Sequence, residues 1–215
     1  MTKKLRTYEA DDMVVVYDAA RCIHVKECVH RLPGVFDPEK KPWVDPKRAS
    51  ADAIAEVVRR CPTGALHYQR RRGLQEEPPE RNEVRPAVDG PLYVRGRLEL
   101  HLPDGQTIEE TRAALCRCGL SENKPFCDDS HDEAGFRDSA TNVPQQLTAA
   151  TAENETVVVT FAPGGPILLD GPVTIFGADG SQADGVKGAL CRCGESRVKP
   201  YCDGSHAASD IQTAQ

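Results

Sequence analysis

Large apolar side chains are scarce in this chain. It has one Trp, two Met, five Tyr and five Phe in 215 residues, and aromatics make up only 5%. With 17 Gly and 16 Pro interrupting the apolar stretches, a deep single core is not expected. Small modules with thin cores commonly borrow stability from metals or disulfides. No run approaches the roughly 18–20 apolar residues of a membrane span, so no membrane partner is expected. Behind the basic start MTKKLRTYEADD there is no apolar stretch of the kind a signal peptide needs. Excess positive charge is missing too. The net charge is −6, which argues against broad nucleic-acid binding. The imbalance is local: residues 1–80 carry 15 basic and 13 acidic side chains, and residues 81–215 carry 12 and 20. Also absent are a phosphate-binding Gly loop, a G-x-S-x-G elbow and an H-E-x-x-H pair, so a non-catalytic protein is expected. Nine cysteines in a chain expected to be cytoplasmic read as metal ligands rather than disulfides.

The cysteines fall in a pattern. CRCGLSENKPFCDDSH at 116–131 and CRCGESRVKPYCDGSH at 191–206 are near copies. A shift of 75 residues superposes every cysteine and the histidine of the two, and also Gly90-Pro91 on Gly165-Pro166, Gly96 on Gly171 and Asp104-Gly105 on Asp179-Gly180. Residues 90–131 and 165–206 share 18 identities in 42 positions, which marks a duplicated module. Alternating apolar residues predict strands at 92–94 and 98–102, and at 156–161, 167–169 and 173–176. The Asp-Gly pairs suit tight turns. Asp128 and Asp203, just after the third cysteine, suit the cap of a short helix carrying the histidine.

The N-terminal part differs. Met13 to Tyr17 reads as a strand, and Ser50 as the N-cap of a helix over 51–60 with Ile54, Val57 and Val58 as its apolar face. Pro62 ends that helix, and 65–68 reads as a returning strand. The charged stretch 69–86 has a linker in its middle, with Arg70, Arg71 and Arg72 as linker charge or a docking patch. Residues 137–153 read as a second, polar connection, and 207–215 as a frayed tail. Asn154-Glu155-Thr156 matches a glycosylation acceptor by chance.

Each repeat supplies Cys-x-Cys-x8-Cys-x3-His. Thiolates and imidazole suit zinc as well as iron, so the chemistry alone leaves a tetrahedral zinc site or a two-iron cluster. In the N-terminal part Cys22, Cys28 and Cys61-Pro62 form a third set, with His24 beside them. The alternative is three unrelated buried cysteines. His30, His67 and His101 belong to no set and read as structural or solvated.

The repeats resemble the CDGSH (NEET-type) iron–sulfur family, whose signature is Cys-x-Cys-x2-Ser/Thr-x3-Pro-x-Cys-Asp-Gly-Ser/Thr-His. Cys191, Cys193, Ser196, Pro200, Cys202, Asp203, Gly204, Ser205 and His206 match throughout. In the first repeat Cys116, Cys118, Ser121, Pro125, Cys127, Asp128, Ser130 and His131 match, with Asp129 in place of glycine. The resemblance implies a [2Fe–2S] cluster on three cysteines and one histidine in each repeat, the two modules packing as an internal version of the family's dimer. The departure at Asp129 leaves the ligands in place and adds a carboxylate near the histidine.

RCIHVKECVHRLPGVFDP (21–38) and VVRRCPTGALHY (57–68) resemble the divergent mono-cluster ferredoxin domain that occurs beside CDGSH repeats. Bacterial ferredoxins run Cys-x2-Cys-x2-Cys with a remote Cys-Pro. Here Val25, which cannot ligate, holds the middle place. Cys22, Cys28 and Cys61 suit a [3Fe–4S] cluster, or a [4Fe–4S] cluster if His24 is the fourth ligand.

The expected fold is α+β: a small ferredoxin-like N-terminal domain, then two β-rich NEET-like modules forming an intrachain pseudo-dimer. The expected boundaries are 10–70, a linker at 71–83, 84–138 and 154–207. One-electron transfer is the leading expectation, with redox proteins or apo iron–sulfur acceptors as partners and a monomer as the assembly. A cluster carrier or redox sensor, and a zinc-stapled interaction module, are the alternatives.

Overall fold

The computed structural model describes residues 5–149 and 155–208. It comprises two compact units, the first ending at Glu77 and the second beginning at Pro78.

The first unit contains β1 (Arg6–Glu9), β2 (Met13–Tyr17), α1 (Glu27–Arg31), α2 (Ala51–Arg59) and β3 (Leu66–Arg70). The strands form an antiparallel sheet in the order β1-β2-β3. Strand β2 alternates as a one-faced strand must, burying Met13, Val15 and Tyr17 and leaving Val14 and Val16 half-buried. Helix α2 covers that face. The Ser50 hydroxyl caps it by accepting from the Ala53 N–H at 3.3 Å, and Ile54, Val57 and Val58 are buried in the same cluster as Met13, Val15 and Leu66.

The stretch expected to be a linker is folded over its first part. Asp12 accepts from the Arg71 N–H with its carbonyl and from the Arg72 N–H with its carboxylate. The Glu76 carboxylate accepts from the Tyr68 N–H at 3.1 Å and meets His67 Nδ1 at 3.0 Å. Two of the three arginines pair within the unit, Arg70 with Asp52 and Arg71 with Glu9. Residues 71–77 thus belong to the first unit, because their charges find partners there.

The second unit contains β4 (Glu83–Pro86), β5 (Leu92–His101), β6 (Thr107–Leu115), α3 (Ser130–Glu133), β7 (Val157–Phe161), β8 (Ile167–Phe176) and β9 (Gln182–Leu190). The 75-residue shift maps β5 on β8 and β6 on β9 end to end. Each pair is a hairpin closed by an Asp-Gly turn, with Gly105 at φ 83° and Gly180 at φ 84°. Each long strand carries a bulge at the matching place, between Arg95 and Leu98 and between Asp170 and Val173.

The short strands lock the two hairpins together. Strand β4 runs antiparallel to the first half of β5 and parallel to the second half of β8. Strand β7 runs parallel to the second half of β5 and antiparallel to the first half of β8. At each bulge one short strand yields to the other. The crossing leaves no room for a side chain: a Cβ on Gly96 would lie 2.1 Å from Asn82 Oδ1, and one on Gly171 would lie 2.2 Å from the Thr156 carbonyl oxygen. One core results, built from Val84, Leu92, Val94 and Leu100 of the first repeat and Val159, Ile167, Leu169 and Ile175 of the second.

The connection between repeats is less polar in effect than in composition. Ala140, Val143 and Leu147 are buried, and Leu147 fills the space over Gly185 and Gly188. Residues 150–153, Asn154 and 209–215 of the tail lie outside the described residues. Ser205–Ala208 form a 3-10 turn. No helix among the described residues is long and apolar enough to cross a membrane.

Asn82 ties this crossing. Its Oδ1 accepts from the Arg97 N–H, and its Nδ2 donates to the carbonyls of Glu155 and Pro172, each at 2.8 Å. Asn82→Ala should lower the stability of the second unit by about 2 kcal/mol, measured by urea unfolding of the loaded protein. A loss under about 0.5 kcal/mol would show that water replaces the clasp.

Candidate metal centres

In both repeats the ligand loop is held in shape by hydrogen bonds between the ends of each signature. The Cys116 N–H donates to the Pro125 carbonyl and the Cys127 N–H to the Ala114 carbonyl, both at 2.9 Å. The second repeat repeats both bonds, from Cys191 to Pro200 at 2.8 Å and from Cys202 to Ala189 at 2.9 Å. Ser121 Oγ donates to the Phe126 carbonyl at 2.7 Å, and Ser196 Oγ to that of Tyr201 at 2.6 Å. The signature aspartates bridge the loop. Asp128 accepts from the Glu122 and Ser130 N–H groups, and Asp203 from those of Arg197 and Ser205. Those donors hold the Asp203 carboxyl well below the usual carboxylate range.

The four ligand candidates of each repeat fall into two pairs. Cys116 and Cys118 Sγ lie 3.7 Å apart, and Cys127 Sγ lies 3.4 Å from His131 Nδ1. In the second repeat the distances are 3.8 Å for Cys191 and Cys193 and 3.3 Å for Cys202 and His206. The edge of a metal–thiolate tetrahedron with bonds of about 2.3 Å is about 3.8 Å. Each pair therefore has the spacing of two ligands on one metal. Cys127, Asp129 and His131 bring one ligand atom each within 4.8 Å of one another, a grouping that includes neither Cys116 nor Cys118. Asp129 adopts a left-handed φ of 73°, where Gly204 of the second repeat has 88°. Its carboxylate lies 3.8 Å from His131 Nε2, and that of Asp132 lies at 3.6 Å.

The third set closes a pocket in the first unit. Cys22 follows a 3-10 turn over Ala19–Arg21, Cys28 lies in the first turn of α1, and Cys61 follows α2. All three line one pocket, with His24 and Val25 from the loop between and Tyr17, Trp43 and Leu66 behind. That loop curls through left-handed conformations at His24 (φ 53°) and Lys26 (φ 64°). Burial first, and then the neighbouring Cys61 thiol, push the Cys28 thiol up to about 11. Val25, at the place where a ferredoxin has a cysteine, is exposed at 43%.

Residues 8–71 match the family described as "Divergent 4Fe-4S mono-cluster", and residues 89–132 and 164–207 each match the "Iron-binding zinc finger CDGSH type". The chain thus carries one domain of the first family and two tandem repeats of the second. "Uncharacterized protein YjdI" of Escherichia coli strain K12 is 31% identical over 64 residues, which is 30% of this chain and 84% of that protein. The protein of the same name from Escherichia coli O157:H7 matches to the same extent. No solved structure matches significantly.

Within the CDGSH repeats, two residues escaped the sequence reading. Arg117 and Arg192 stand between the paired cysteines and are 2% and 3% exposed. Arg117 Nε donates to the Gly90 carbonyl at 2.6 Å, while its terminal nitrogens bond the Ala87 carbonyl and pair with Asp138. Arg192 Nη2 donates to the Ala162 carbonyl, the residue 75 positions on from Ala87, at 3.0 Å. Burial pulls the Arg192 guanidinium below its ordinary range, while the Cys116 and Cys193 thiols oppose that shift. The signal was the shared CRC triplet, which does not reveal burial.

The ligand loops also meet. Cys118 and Cys193 form an antiparallel backbone bridge, and a Cβ on Gly194 would lie 3.0 Å from the Cys118 carbonyl oxygen. The hydrogen bond between the two sulfurs lowers the Cys116 thiol, opposed by burial and aided by the Ser121 and Gly119 N–H groups, and raises the Cys118 thiol. Burial pushes Cys127 up to about 12. A bound metal displaces these protons.

Arg117→Leu leaves the largely buried Asp138 without its partner. It should cost about 3 kcal/mol in urea unfolding. A cost below about 1 kcal/mol would mean that solvent screens the pair.

Proposed function

We propose that this chain is a one-electron transfer protein with three iron–sulfur centres. In each CDGSH repeat a [2Fe–2S] cluster takes Cys116 and Cys118, or Cys191 and Cys193, on one iron. Cys127 and His131, or Cys202 and His206, hold the other. The within-pair spacings, each that of two ligands on one metal, suit two metals per site. The first unit holds a [4Fe–4S] cluster on Cys22, Cys28 and Cys61 with His24 as fourth ligand, or a [3Fe–4S] cluster on the thiolates alone. The protein works as a cytoplasmic monomer, since the internal pair of repeats supplies what the family otherwise gains by dimerising.

One observation carries this reading: the backbone bridge between Cys118 and Cys193. Residues paired in this way have Cα atoms about 4.5–5.5 Å apart, so a ligand of one cluster directly neighbours a ligand of the other. Electrons exchange readily between centres so close, whereas a structural staple has no use for the adjacency. A cluster-carrier role is the second reading. It rests on Cys202 and His206, which are partly exposed where Cys127 and His131 are buried. Rapid loss of cluster to an apo-ferredoxin would favour it.

The test is a reductive titration followed by electron paramagnetic resonance. Reduction of one CDGSH cluster should give a simple signal, and full reduction should broaden it through coupling between neighbouring spins. The broadening should vanish in Cys202→Ser. An unbroadened spectrum at full reduction would count against adjacent paired clusters.

A further inference from the structure

A groove in the first unit runs beside the cysteine pocket. Cys22 and Cys28 lie in its lining, together with Tyr8, Tyr17 and Trp43. The three rings pack edge-on, with centroids 4.8 Å apart for Tyr17 and Trp43 and 6.3 Å for Tyr8 and Trp43. Trp43 remains partly exposed, so the wall offers apolar surface to solvent.

The rim of this groove is cationic. Arg6, Lys26, Lys40 and Lys41 line it, all four exposed, and among the described residues no Asp or Glu does. Lys40 already pairs with Asp37 at 2.6 Å. Such a rim stands out in a chain of net charge −6. The trio Arg70, Arg71 and Arg72 was the sequence candidate for docking, but Arg70 and Arg71 pair with Asp52 and Glu9.

We infer that this groove is the docking surface for an acidic one-electron carrier protein, which exchanges electrons with the first unit's cluster. The inference rests on the electron-transfer reading above. Charge complementarity selects the partner. A carboxylate-rimmed surface with an apolar centre would seat on Trp43 and place its redox group beside the ligands Cys22 and Cys28. One electron leaves the reduced carrier and enters the oxidised cluster, with no bond made or broken. Small, weak interfaces of this kind depend on steering by charge, so rim charges govern the association rate.

The probe is reduced plant-type ferredoxin, an acidic carrier, mixed with the loaded full-length protein. Reduction of the first unit's cluster is followed by rapid-freeze paramagnetic resonance. Arg6→Glu with Lys41→Glu should slow that reduction about tenfold at low salt and remove most of its salt dependence. Iron and sulfide per chain should stay unchanged. An unaltered rate and salt dependence in the variant would overturn the docking surface. Dithionite separates this from failure of the wider reading: a cluster of normal iron content that dithionite cannot reduce would overturn electron transfer and the docking surface together. Self-association of the wild type that disappears in the variant would assign the groove to the acidic second unit of another copy, and would also overturn the proposal.

Discussion

The second unit depends on a crossing. Two short strands, β4 and β7, each pair with both hairpins, and each yields to the other at a glycine bulge. Gly96 and Gly171 make this possible because a backbone passes where a Cβ would stand. Without the crossing each repeat would be a lone hairpin with one apolar face exposed, and a two-stranded hairpin is marginal in water. With it, the two repeats share one core, and their ligand loops emerge together and meet at Cys118 and Cys193. The adjacency of the proposed clusters is thus a consequence of strand pairing.

The loops themselves are organised by backbone and short polar side chains. Ser121 and Asp128, and their counterparts Ser196 and Asp203, satisfy loop N–H and C=O groups that strands and helices do not. A metal bound there displaces protons from thiols whose titration burial has raised, such as Cys127 and Cys28. Arg117 and Arg192, between the paired cysteines in sequence, tie each ligand loop to the carbonyls of Ala87 and Ala162. The first unit solves the same problem differently, with three cysteines from three separate elements around one pocket.

Local features were legible in the sequence. The Ser50 cap, the Ile54, Val57 and Val58 face, the hairpins and the Asp-Gly turns each need only a few neighbouring residues. The cysteine and histidine pattern of the two repeats was legible because duplication repeats it at fixed spacing. Long-range features were not. Asn82 gives no local sign that it will bond Arg97, Glu155 and Pro172, and nothing in EVRP announces a strand shared by two hairpins. Residues 71–77 look like linker because their charges are conspicuous, while their partners Asp12, Glu9 and His67 are distant or unremarkable. In the segment after Asp138, Val143 and Leu147 are too few and too irregular to signal burial.

The central claim is that the three cysteine sets hold iron–sulfur clusters rather than zinc, and its most direct measurement is iron, acid-labile sulfide and zinc per chain on anaerobically purified protein. Two two-iron sites and one ferredoxin-type site predict about seven or eight irons with matching sulfide, eight if His24 completes a [4Fe–4S] centre. Two or three zinc ions per chain with no sulfide would contradict the account and leave a metal-stapled structural protein.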